Sequence, residues 1–351
     1  MTHGAHLVAT SRGSGATVLS LMRSRRHLSP LVRISLHFSV ALACSSPAAP
    51  VGNGTPPLGT ASPADPEATH PDARDPDARD PDGVPDAPIS ASIEPVRLRF
   101  AARVGAEPFA CGSTYRTTSG ESFTPADLRL FVQDVALIDA DGVEHPVELD
   151  VRAPWQAEGV ALVDFEDASA GCLAGTRELN LEVTGGVAPG AYRGIAFSNG
   201  VPEAFNHADP SRLPPPLQAG SMSWGWLQGY RFMMAEIAGT ASVGDAAAPG
   251  SALLHVGSTA CSGNPSAGGI ACAKPNRNRV RLSEFDADAD AIVIDVAELF
   301  GDMDLATVTT CHSSGDDCGP LFERVGIDLA SGSPSDAQRI YRVEPASATD
   351  P

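Results

Sequence analysis

Lysine is almost missing from this chain. Lys274 is the only one in 351 residues, and 24 lysines and arginines stand against 43 aspartates and glutamates, a formal charge of −19. A nucleic-acid-binding role needs a basic patch, and no stretch supplies one. No C-x-x-C is present, which removes zinc ribbons and thioredoxin-type redox sites, and no C-x-x-C-H is present to attach a haem. No G-x-S-x-G elbow occurs, and serine, histidine and acid never cluster as a hydrolase would have them. Asp286, Asp288 and Asp290 alternate like the start of a calcium loop. The required glycine and glutamate are replaced by Ala291 and Ala297, so an EF-hand is excluded and an acidic turn before a strand remains.

What is present first is an export pattern. Arg23, Arg25 and Arg26 precede an apolar run at 31–43 that is too short to span a bilayer, ending Ala41-Leu42-Ala43-Cys44. Cys44 sits where a bacterial lipoprotein carries its acceptor cysteine. The usual leucine three positions earlier is missing, so lipidation stays open while export does not. Residues 1–44 are therefore an export segment, with a periplasmic or outer-membrane-anchored destination. Residues 45–93 carry eight acidic residues, two arginines and a tandem Pro-Asp-Ala-Arg-Asp at 71–75 and 76–80. Such a segment buries too little apolar surface to offset its ordering entropy and reads as a disordered tether.

A β-rich domain is expected over 94–330. Val96, Leu98, Phe100, Ala102 and Val104 alternate with Arg97, Arg99 and Arg103, the period of a half-buried strand. Further strands are expected at 128–138, 160–165, 179–183, 192–197, 231–237, 252–256, 280–285 and 291–296. Asp295 is placed to cap a short helix through Phe300. Short strands with Gly/Pro turns and little helical period give an all-β fold, an antiparallel β-sandwich or barrel with long loops. After Leu329 the sequence turns polar, and 331–351 is expected to be a tail with little fixed structure.

Of nine histidines, five lie before the domain, leaving His145, His207, His255 and His312. His145 sits in a turn. His255 interrupts an apolar strand, where an unpaired imidazole is costly. The stretch 222–232 holds two of the three tryptophans. If extended, it puts Met222, Trp224, Trp226 and Gln228 on one face. A Met/Trp row is ordinarily core, and a lone histidine in a strand is ordinarily a satisfied core residue. Together, in an exported domain, they raise a soft metal site, for which imidazole and thioether suit copper.

The ordered string Asn206-His207, Met222-x-Trp224-x-Trp226-x-x-Gly229-Tyr230-x-Phe232 and His255-x-Gly257-Ser258-Thr259-x-Cys261 resembles the MbnP-like copper-binding proteins, the four-cysteine members of a metallo-mystery pair. Phe109-Ala-Cys111-Gly112 with Tyr115, the segments 128–137 and 160–166, Gly200-Val201-Pro202, Pro275-Asn276-Arg277 and Cys311…Cys318 are similar in the same order. The resemblance implies copper held by histidines, at His207 and His255, and a tryptophan, Trp224 or Trp226, oxidised to kynurenine. The oxidation is attributed to a partner, a dihaem, MbnH-like protein of the cytochrome c peroxidase class. Indole presents only an N–H donor to a metal, whereas the opened ring presents an aniline nitrogen and a ketone. Where the family commonly reads Gly-Cys-Met-Ser, this chain has Thr310-Cys311-His312-Ser313. His312 is read as facing water; approaching the metal, it would make the site richer in nitrogen.

Cys111, Cys172, Cys261, Cys272, Cys311 and Cys318 form an even set in an exported chain, which reads as disulfides, with fifteen possible pairings. Sequence proximity favours Cys311–Cys318 and Cys261–Cys272, leaving Cys111–Cys172. The resulting expectation is an exported copper-binding protein that is not itself an enzyme, with a role in copper acquisition or handling. The alternative is a secreted adhesion or ligand-binding β-sandwich with a tryptophan-lined groove.

Overall fold

The computed structural model describes residues 92–240, 250–264 and 269–347. The export segment with Cys44, and all but the end of the 45–93 linker, lie outside them. The described chain is all-β, in two main sheets with short helices between strands. Among the described residues no helix is long and apolar enough to cross a membrane.

Strand β1 (Glu94–Val104) opens the first sheet with the alternation its sequence carries. Leu98, Phe100, Ala102 and Val104 are buried, while Arg97, Arg99 and Arg103 are not. β2 (Ser122–Asp139) is longer than the expected 128–138 and crosses the second sheet. Its first half pairs with one neighbour and its second half with another, and Asp134 at φ 50 lies in a register shift within the second pairing. The second sheet is built on it by β3 (Val160–Asp164), β5 (Tyr192–Asn199), β8 (Met233–Gly239), β9 (Ser251–Val256) and β12 (Val280–Ser283). β4 (Glu182–Val187) joins the first sheet beside β1 and begins later than the 179–183 alternation indicated.

Two pairings depart from the antiparallel expectation. β13 (Asp290–Asp295) lies parallel to β1, and β14 (Val308–His312) lies parallel to β9 at the edge of the second sheet. Parallel neighbours need long crossover connections. The connections here take in several intervening strands, so local alternation carries no trace of them. The sheets meet over one apolar core, where Phe197 sits between Phe100 (5.8 Å) and Tyr341 (5.4 Å), both edge-on.

The C-terminal segment is part of the domain rather than a tail. β15 (Tyr341–Pro345) pairs with β13, Ile340 and Tyr341 are buried, and the Tyr341 hydroxyl donates to Asn199 Oδ1 at 2.5 Å. Its polar composition reflects an edge strand with one exposed side. The helix capped by Asp295 forms over Val296–Phe300 (α2), the carboxylate accepting from the Ala297 N–H at 2.9 Å. A second helix, α3 (Cys318–Val325), went unread. Cys318, Leu321, Phe322 and Val325 are buried on one face at spacings of three and four. All three disulfides form as proximity indicated: Cys111–Cys172, Cys261–Cys272 and Cys311–Cys318.

A buried ionic cluster flanks β2. Arg129 donates from Nε and Nη2 to the two oxygens of Asp127 (2.9 and 2.6 Å), with Glu166 3.7 Å away. Asp164 is paired in register with Arg129. Both Glu166 oxygens are buried without a hydrogen-bond partner. Burial pushes the Asp164 and Glu166 carboxyls up to about 7, offset only partly by Arg129. Groups that hold protons more tightly folded than unfolded favour the fold fully below their ordinary values and lose that contribution as pH rises. Unfolding free energy is therefore expected to fall between about pH 4 and about pH 7 and then level off. Asp164→Asn is expected to flatten that slope in a urea-unfolding series.

Deleting 340–351 is expected to remove roughly 3–5 kcal/mol of stability, from two buried apolar side chains alone. An unchanged urea midpoint would show that β15 is dispensable.

Candidate metal centre

The site is assembled by strand register. Directly opposed residues in a sheet point to the same side. Asp164 of β3 faces Arg129 of β2, Arg129 faces Met234 of β8, Met234 faces His255 of β9, and His255 faces His312 of β14. Five strands thus lay one row of side chains across one face. The row one residue along, Leu128, Ala235, Leu254 and Cys311, points the other way and is buried in the core.

At the end of the row the two imidazoles meet. His255 Nδ1 and His312 Nδ1 are 3.0 Å apart, with ring centroids 4.8 Å apart. His255 is buried, and its Nε2 lies 2.6 Å from Glu236 Oε1. A carboxylate can only accept there, so the Nε2 carries the proton and Nδ1 presents its lone pair to His312. The hydrogen bond from His255 holds the Glu236 carboxyl below its ordinary value. Desolvation, and then the neighbouring His255, lower the pKa of His312, which favours the neutral imidazole a metal needs. Two neutral nitrogens this close require a shared proton or a shared cation between them. An N–H···N hydrogen bond satisfies the pair, and a single nitrogen-preferring ion is within reach of both.

His312 is exposed to water, as the sequence reading expects, and its Nδ1 nevertheless meets His255. The parallel pairing of β9 with β14 sets it beside a residue 57 positions away, which no local pattern records.

The tryptophan stretch also departs from expectation. Met222 ends a 3-10 turn and is fully buried, and only Ser223–Gly225 (β6) and Gly229–Tyr230 (β7) are extended. Gly225, at φ 101, turns the chain between the tryptophans, and the shared face of Met222, Trp224, Trp226 and Gln228 does not exist. Trp224 is half-buried, its ring centroid 6.3 Å from that of His255 and 6.4 Å from that of His312. Trp226 is 54% exposed. Trp224 is held from two sides. The Arg231 guanidinium lies over its ring at 5.2 Å, and a Cβ on Gly257 would come within 2.4 Å of Cζ3. Ser221, just before this stretch, accepts from Arg129 Nη1 at 2.7 Å, tying the hairpin to the row.

His207, at the end of α1 (Glu203–Asn206), makes its contacts elsewhere. Its Nδ1–H donates to the Trp226 carbonyl at 2.8 Å, and its Nε2 is 3.1 Å from Cys272 Sγ. Among the described residues no hydrogen bond or ring contact joins it to His255, His312 or Trp224. The bonded partner of Cys272, Cys261, lines a cleft of about 580 Å³ together with Trp224, Leu227, Ser258 and His312. Asn206 explains its place beside His207: its oxygen accepts from the Tyr230 N–H at 3.0 Å and its amide donates to Ser258 Oγ at 3.2 Å. Asn276 and Ser313 likewise fasten the turn after His255. The first donates to Gly257 O at 2.7 Å, and the second donates to His255 O at 2.8 Å. His145, on a short strand (Glu144–Pro146) paired with the end of β2, is hydrogen-bonded to Asp139 at 2.8 Å and takes no part.

The family model MbnP matches residues 93–313, a span that holds every residue of the row and both tryptophans. Among solved structures, MbnP from Methylosinus trichosporium is similar, with a TM-score of 0.63 and 30% sequence identity, over 73% of this chain and 100% of that one. No curated protein matches. With the matched span covering more than half the chain and the whole of a solved relative, this protein belongs to the MbnP family.

Proposed function

We propose that this is an exported copper-binding protein, not an enzyme, whose copper is held by His255 and His312 with Trp224 as the third side chain at the metal. The observation that supports it most is the pair of Nδ1 atoms 3.0 Å apart, with the far nitrogen of His255 committed to Glu236. When bound, copper supplies a redox-active, nitrogen-preferring centre. The chain's own part is to fix the tautomer of His255 and keep Trp224 against both rings. The neighbouring cleft gives the metal a way in.

On this reading Trp224 is oxidised to kynurenine by a dihaem partner of the cytochrome c peroxidase class, which supplies the oxidant. The closeness of Trp224 to both imidazoles and the exposure of Trp226 favour Trp224 as the residue converted. The role is copper acquisition or handling outside the cytoplasm, with Cys44 as a candidate lipid anchor. Exposed Trp226 and Leu227 at the hairpin tip favour a second reading, a ligand-binding module with a tryptophan surface.

His255→Ala and His312→Ala are each expected to abolish stoichiometric copper, measured by elemental analysis after desalting, without loss of the folded β signal. Glu236→Gln is expected to weaken copper by about 10–100-fold, as loss of a ligand's supporting hydrogen bond does. Full copper in both histidine variants would sink the proposed ligand pair.

Mass spectrometry after co-production with the dihaem partner is expected to show conversion on Trp224 peptides, absent without the partner and in Trp224→Phe. Conversion confined to Trp226 would overturn that assignment. Unmodified tryptophans together with no copper would leave the ligand-binding module.

A further inference from the structure

The Cys261–Cys272 disulfide differs in setting from the other two. Cys172, Cys311 and Cys318 are fully buried, so each of those bonds has at least one sulfur sealed in the core. Cys261 and Cys272 are both half-exposed. They stand directly opposite each other on a hairpin, β10 (Thr259–Asn264) and β11 (Gly269–Lys274), that pairs with neither main sheet. Cys261 also lines the open cleft. An attacking thiolate can reach this bond, and backbone pairing keeps both sulfurs in place once it opens.

A histidine waits at the same spot. The Trp226 carbonyl, 2.8 Å from His207 Nδ1, can only accept, so the proton is on Nδ1 and the lone pair on Nε2. That lone pair lies 3.1 Å from Cys272 Sγ, and no proton stands between the two atoms. Among the described residues the Asn206 amide, at 3.1 Å, is the one donor to it. Ligand atoms of His207, Cys261 and Cys272 all fall within 4.8 Å of one another. A ligating histidine that donates its other N–H to a backbone carbonyl is the usual supported arrangement.

We propose that His207, Cys261 and Cys272 form a second, redox-gated site for a soft monovalent metal such as Cu(I), closed while the disulfide is intact. An external dithiol opens it. Two electrons and two protons pass from the dithiol to the disulfide, the dithiol becomes a disulfide, and Cys261 and Cys272 become thiols. Cu(I) then displaces both thiol protons and is held by two thiolates and His207 Nε2. This site is distinct from the His255–His312 pair and needs neither of them.

The test uses the full chain carrying Cys44→Ser, so that Cys44 contributes no thiol. Mild dithiothreitol treatment followed by alkylation and peptide mapping is expected to label Cys261 and Cys272 before the other four cysteines. Titration with Cu(I) against a chromophoric chelator is expected to show one more equivalent bound by reduced than by oxidised protein. That equivalent is expected to vanish in Cys261→Ser/Cys272→Ser, to weaken at least tenfold in His207→Ala, and to persist in His255→Ala/His312→Ala. If the double-serine variant fails to fold, reduced and alkylated wild type takes its place. Labelling that begins at another disulfide, no additional equivalent, or an additional equivalent that survives blocking of both sulfurs would overturn the site. Undiminished affinity in His207→Ala would overturn its histidine. Loss of copper at His255 and His312 leaves this result untouched, so the two readings fail separately.

Discussion

The structure depends on one line of strand register. Asp164, Arg129, Met234, His255 and His312 are brought level across five strands, and each pairing constrains the next. A shift of one residue at any of them would send the imidazole into the core and a core side chain into the site. The opposite row, with Leu254 and Cys311 fully buried, makes such a slip costly. The site's geometry is therefore enforced by the apolar face it does not use. The ionic cluster at the other end of the row contributes by fixing Ser221 and, through it, the hairpin that delivers Trp224.

Much of this was legible in the sequence. Alternation in 96–104 gave β1 with its correct face, and Asp295 gave α2, because both are local signals read within a few residues. The disulfide pairings followed from proximity. The order of motifs identified the family. Asn206, Gly257, Ser258 and Asn276 belonged to those motifs without a visible reason, and the structure supplies it in backbone contacts around the hairpin and the turn after His255.

What was not legible is long-range or depends on a single backbone angle. His312 became a neighbour of His255 through a parallel pairing that no local alternation encodes. The shared Met/Trp face failed at Gly225, whose positive φ breaks a stretch that reads as extended. The polar C-terminus concealed an edge strand, since only one of its faces meets the core. His207 is the subtlest case: its motif marked it as functional, while its position beside a sulfur bonded to another cysteine appears only once the β10–β11 hairpin is folded.

The parallel pairing of β9 with β14 has a further consequence, in the timing of folding. Residues 129, 164, 255 and 312 span more than half the chain, and His312 lies on the last strand to join the second sheet. Contacts so distant in sequence slow folding. A chain crossing a membrane unfolded would carry its histidines as isolated imidazoles until that strand docked beside β9. The paired nitrogens thus exist only once β14 has docked beside β9.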